Sequence, residues 1–80
     1  MDEDLLKMDG FDDAISGITY DIAQGVYRLV YCYESMVQIL VMYHEMSEED
    51  AEDYISYNCE GAYVGPSTPL IVRPYHGEDN

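Results

Sequence analysis

Two histidines, two cysteines and a large excess of carboxylates are the chemically versatile side chains of this 80-residue sequence. Cys32, Cys59, His44 and His76 are zinc-ligand types. No short Cys-x-x-Cys or His-x-x-x-His spacing joins any two of them, so no zinc site is expected. Asp2, Asp4, Asp9, Asp12 and Asp13 miss the Asp-x-Asp-x-Asp-Gly register of a calcium loop, which leaves weak, unspecific cation binding. Lys7 is the one lysine and no glycine loop precedes it, which excludes a phosphate cradle. Ser16, Ser35, Ser47, Ser56 and Ser67 stand in no nucleophile motif. His44 falls at helical spacing and reads as a partly buried structural residue, and His76 falls in the polar terminal segment 76–80. The sequence predicts a chain that is not an enzyme and holds no metal or cofactor.

Charge is the chemistry that remains, and residues 47–65, SEEDAEDYISYNCEGAYVG, place it on a helix with no base beside it. Ser47 is an N-cap residue type, with Asp50 three positions on as a variant of the capping box. Glu48, Glu49 and Asp50 fill the first turn, where the positive end of the helix dipole favours anions. Ala51, Tyr54, Ile55 and Asn58 form a stripe that predicts a core-facing side. Glu49, Glu52, Asp53 and Glu60 lie largely off that stripe. Glu48/Glu52 and Glu49/Asp53 are like-charge i,i+4 pairs, each destabilising by about 0.2–0.5 kcal/mol, with no lysine or arginine in the segment to offset them. Two readings stand: a face that meets a cationic partner, or a solvated face.

Composition narrows the partner. Seventeen acids against three bases give a formal charge of −14. Such a chain cannot neutralise phosphates, which excludes direct nucleic-acid binding. An anionic membrane surface is excluded on the same ground. A basic protein surface is the natural partner. Nine tyrosines, one phenylalanine and no tryptophan point the same way, since tyrosine is enriched at interfaces and nine cannot all be core in so small a domain. The acidic start MDEDLLK is no secretory n-region, and no apolar run reaches about 18 residues. The expectation is a cytoplasmic chain with two reduced thiols, a Cys32–Cys59 bridge being the alternative.

The elements that would position the acids follow in order. Residues 1–80 predict one α+β domain, with 1–9 and 76–80 as flexible ends. Phe11, Ala14 and Ile15 predict a short N-terminal helix stopped at Gly17. Residues 18–24 are ambiguous: Ile18, Tyr20 and Ile22 alternate like a strand, whereas Asp21 and Gly25 suggest a loop. Residues 26–33, VYRLVYCY, predict the best strand, with Leu29 and Tyr31 on one face and Arg28 and Val30 on the other. Residues 34–46 predict a helix with Met36, Val37, Leu40, Val41 and His44 at core spacing. It forms a hairpin or a kinked pair with the acidic helix. After a corner at Gly61 and Gly65, residues 68–72, TPLIV, predict a second strand at an edge. The expected core is a two-stranded sheet with a helical hairpin between its strands, β-α-α-β, in which parallel pairing is permitted but not required.

Residues Gly10 to Ile15 (GFDDAI), then Met46, Ser47, Glu49, Ala51 and Tyr54, then Asn58, Gly61 to Gly65, Thr68 and Pro69 form a pattern. It resembles that of small proteins encoded by phages and other mobile elements. The resemblance covers about half the chain, and the tyrosine-rich stretch between Gly17 and Glu34 lies outside it. Small, acidic and phage-like together resemble the anti-CRISPR class of inhibitors, some of which present carboxylates where a nuclease complex expects DNA phosphates. The resemblance implies an inhibitor of a bacterial defence complex, acting in the host cytoplasm on the basic surface of a CRISPR effector. Asp12, Asp13, Glu48, Glu49, Glu52, Asp53, Tyr57 and Glu60 are the expected partner-binding residues. The alternative is a non-catalytic adaptor or oligomeric regulatory protein, such as a homodimer, whose acidity serves solubility.

Overall fold

Asp21 and Gly25, which read as loop residues, are the two ends of a tight β-hairpin turn. The Asp21 carboxylate accepts a hydrogen bond from the Gln24 backbone N–H at 3.1 Å, and the Asp21 carbonyl accepts one from Gly25 at 2.7 Å. Gly25 closes the turn with φ +70°, a conformation that glycine adopts without a Cβ penalty. The computed structural model describes residues 5–75. On either side of this turn, β1 (Ile15–Asp21) and β2 (Val26–Cys32) pair antiparallel. The alternation of Ile18 and Tyr20 is therefore that of a strand, whereas Ile22 lies in the turn.

The chain continues through α1 (Tyr33–His44) and α2 (Glu48–Ile55), then a π-helical turn (Ser56–Glu60), to β3 (Leu70–Val72). β3 pairs parallel to β2, so the sheet order is β1-β2-β3. The domain is α+β with two helices, and the expected helical crossover between β2 and β3 is present. The expected two-stranded sheet is corrected to three strands. The expected helix at 11–15 is a single 3-10 turn, Asp12–Ala14, that ends as Ile15 enters β1. Burial of Phe11 and Ala14 needs only that one turn. Gly17 lies within β1 and does not stop a helix.

Both helices cover the sheet face that carries Leu29 and Tyr31. These two residues join Phe11, Ala14, Met36, Leu40, Ala51 and Ile55 in the buried core. Leu5, Met8, Ile15 and Ile71 pack against its margin. The Tyr31 hydroxyl is satisfied by accepting a hydrogen bond from the Met8 backbone N–H at 2.9 Å, so the residue is fully buried without an orphaned polar atom. A register shift between Ile15 and Gly17 sets Ile15 opposite Tyr31 and Gly17 opposite Val30. This bulge turns Ile15 onto the helix-covered face, since residues directly opposite share a face.

α1 ends at Glu45, whose backbone is left-handed (φ 59°, ψ 31°), and its N–H reaches the Leu40 carbonyl. His44 is exposed, a correction to its expected partial burial, because Leu40 is the last buried residue of α1 and beyond it only Val41 reaches the core margin. Of the two corner glycines, Gly65 has φ +118° and Gly61 an ordinary −84°. The Thr68 hydroxyl locks that corner, donating to the Gly65 carbonyl at 2.6 Å and accepting from the Val64 N–H at 2.9 Å.

Candidate acidic binding face

α2 is built as its sequence dictates. The Ser47 side chain accepts a hydrogen bond from the Asp50 N–H at 3.1 Å, and Glu48, Glu49 and Asp50 occupy the first turn. The buried stripe is narrower than expected. Ala51 and Ile55 are fully buried and Cys59 packs beside them, one residue every four. Tyr54 and Asn58 are exposed, a correction, and the Asn58 side-chain amide donates to the Tyr54 carbonyl at 3.0 Å. With so narrow a stripe buried, Glu48, Glu49, Asp50, Glu52 and Asp53 are all exposed.

Among the described residues, cation pairing engages some of the expected contact residues and not others. Lys7 pairs with Asp12 at 3.4 Å, Arg28 with Asp21 at 3.0 Å and Arg73 with Glu60 at 2.8 Å. Those are the three bases of the sequence. Among the described residues, no carboxylate of α2 has a cationic partner. Asp12 and Glu60 are engaged inside the molecule. The Arg73 guanidinium also lies 3.8 Å from the centre of the Tyr33 ring, and Glu60, its hydrogen-bond acceptor, holds its pKa above the ordinary value.

Glu48 and Glu52 border an open groove of about 610 Å³ with Glu34, Val37, Gln38 and Arg73. Asp13 lies across α1, in a shallow recess with Ser35, Gln38, Ile39 and Tyr43. Gln38 borders both hollows, so Asp13 and the Glu48/Glu52 row flank the outer face of α1. Glu49 and Asp53 lie on the next row of α2. Tyr57 stands 83% exposed on the π-helical turn. Glu34 was missed by sequence reasoning, although an acid in the first turn of a helix was a signal available at residue 34.

Cys32 and Cys59 are free thiols with opposite environments. Hydrogen bonds from Ser35 at the start of α1 hold the Cys32 thiol below its ordinary pKa, and burial pushes the Cys59 thiol up. Among the described residues no three histidine, cysteine or carboxylate side chains gather as a metal site. No described helix is long and apolar enough to cross a membrane. His76, Glu78 and Asp79 lie outside the described residues. No protein-family model, curated protein or solved structure matches the chain.

Proposed function

We propose that this chain is a non-catalytic inhibitor of a bacterial defence complex, phage-encoded and of the anti-CRISPR type. It acts in the host cytoplasm by laying an acidic, tyrosine-flanked face on a basic, nucleic-acid-handling protein surface. One observation carries the reading. The exposed carboxylates of α2 have no cationic partner among the described residues, on a helix whose like-charge pairs oppose its own stability. Glu34 extends the set across the groove, and Tyr54 and Tyr57 flank it with apolar area. Opposite charge steers such a face onto a basic target and excludes acidic ones. CRISPR effector complexes are the leading target class, on the strength of the phage-like sequence pattern alone.

The test is competition for DNA binding by a purified effector complex at two salt concentrations. The protein displaces DNA at low salt and less so at high salt. Reversal of Glu48, Glu49, Glu52 and Asp53 to lysine abolishes the effect while the far-ultraviolet circular dichroism is unchanged. A folded reversal variant that displaces DNA as well as the parent would make α2 a solvated face and end the proposal. The second reading, an oligomeric adaptor whose acidity serves solubility, is favoured by the exposed apolar tip of the β-hairpin.

A further inference from the structure

The β1–β2 hairpin carries no excess charge in a strongly acidic chain. Between Ala14 and Tyr33 the only charged residues are Asp21 and Arg28, and they pair with each other at 3.0 Å. The same hairpin leaves apolar surface uncovered. Ile18 is 47% exposed, Tyr20 50% and Ile22 86%, and Tyr20 contacts Tyr27 edge-on with ring centres 4.9 Å apart. Ile18 and Tyr20 lie opposite Leu29 and Tyr27, so they are on the helix-bearing face of the sheet, past the end of the helical cover. β1 is an edge strand, and its pairing with β2 is regular from Gly17 to Asp21. That stretch has neither proline nor lysine, the usual guards of an open edge.

We propose that the β1 edge is a homodimer interface, in which two copies pair β1 with β1 antiparallel about a two-fold axis at Thr19. The two three-stranded sheets then join into one of six strands. The segment is self-complementary in that register. Thr19 meets its own copy, a pair that hydrogen-bonds across strands. Ile18 meets Tyr20 of the second copy, and Tyr20 meets Ile18, giving two aromatic-to-β-branched pairs on the helix-bearing face. Gly17 leaves room opposite Asp21, which stays with Arg28. Charge selects the occupant. A cationic partner is drawn to the acids elsewhere in a chain of net charge −14. Two copies of that chain can approach closely only where the surface is neutral, and the hairpin edge is such a place.

Sedimentation velocity over a concentration series, at about 0.05 and 0.5 M salt, tests this. The parent chain associates to a dimer, more tightly at high salt, because salt screens the repulsion between two acidic copies. Binding of α2 to a basic target weakens with salt, so the two proposals fail separately. Ile18→Glu weakens dimerisation by about tenfold or more with circular dichroism unchanged, since it sets an unpaired charge against Tyr20. Val72→Glu, on the opposite sheet edge, leaves the dimer as it was. In a chain with Cys32 and Cys59 replaced by serine, Thr19→Cys oxidises to a covalent dimer in greater yield than Ile18→Cys, because only position 19 faces itself. A parent that stays monomeric at both salts overturns the proposal, as does loss of the dimer in Val72→Glu but not in folded Ile18→Glu. Equal cross-linking at positions 18 and 19 overturns the register.

Discussion

Reversing Glu52 and Asp53 to lysine, with Glu48 and Glu49 left in place, should stabilise the fold while weakening its grip on a basic partner. Glu52 lies four residues after Glu48 and Asp53 four after Glu49, all exposed on α2. A like-charge pair at that spacing opposes the helix by about 0.2–0.5 kcal/mol, and glutamate followed by lysine supports it by a similar amount. Each replacement thus swings about 0.4–1 kcal/mol, and the two together about 1–2 kcal/mol. In a domain of this size that raises Tm by roughly 4–8 °C per kcal/mol. Glu48 and Glu49 are spared because the helix dipole favours them in the first turn, and reversing them would forfeit about 0.3–1 kcal/mol each. Thermal melts of parent and variant in ~10 mM and ~500 mM salt are the assay, and the gain must shrink as screening grows. An unchanged or lowered Tm at low salt would show that these carboxylates do not oppose folding. The charge argument for a partner would then lose its basis. A gain that persists at high salt would refute the electrostatic origin.

Two further outcomes follow from local geometry. Glu45→Gly should stabilise by roughly 0.5–1 kcal/mol in a urea titration, because a left-handed backbone disfavours a Cβ by ~1–2 kcal/mol and the freer unfolded glycine returns only part. Glu45→Ala keeps the Cβ and should show none of that gain. In alkylation with iodoacetamide, the pH-rate midpoint of Cys32 should fall below that of an ordinary free thiol and that of Cys59 above it, and Ser35→Ala should move the Cys32 midpoint up. The linked stabilities run oppositely. The share from Cys32 is complete above the ordinary thiol pKa and lost as pH falls through its lowered folded value, and that from Cys59 is complete below the ordinary thiol pKa and lost as pH rises through its raised one.

Local rules that act over a few residues were legible in the sequence. Ser47 announced the start of α2, the β-branched and aromatic run at 26–33 announced β2, and Met36 and Leu40 announced the buried side of α1. β1 was legible only in its second half, where Ile18 and Tyr20 alternate; before them Ser16 and Gly17 interrupt the apolar pattern and the bulge between Ile15 and Gly17 breaks its period. Asp21 and Gly25 were ambiguous for a related reason. A four-residue hairpin turn uses the same residue types as an open loop, and only the pairing of Tyr20 with Tyr27 distinguishes the two. On α2 the acids fall off the core stripe in sequence, and they are exposed, but their groove partner Glu34 arrives from another helix. Asp12 and Glu60 illustrate the converse. Both looked available in sequence, and both are engaged by cations outside their own elements, Asp12 by the nearby Lys7 and Glu60 by Arg73.

The residues that carry the phage-like pattern mostly do structural work, which separates the question of fold from that of function. Gly10 holds φ +87°, Phe11 and Ala14 are buried, and Ser47 caps α2. Ala51 lies in the core, Asn58 bonds back to Tyr54, and Gly65 and Thr68 build the corner that returns the chain to β3. A pattern made of caps, turns and core positions marks a scaffold, and a scaffold admits many functions. The positions free to differ are the exposed faces, and two of these have distinct physics here: a row of carboxylates on α2 with no cationic partner among the described residues, and a neutral, apolar edge at β1. A charged face acts over a Debye length and weakens with salt, whereas a neutral edge acts only on contact. Because β1 and α2 belong to different elements with separate packing, a substitution in one should leave the other's binding intact. Ile18→Glu should therefore keep any competition with DNA that depends on α2. If it abolished that competition while folded, the inhibitory unit would be the dimer, and both faces would belong to one site.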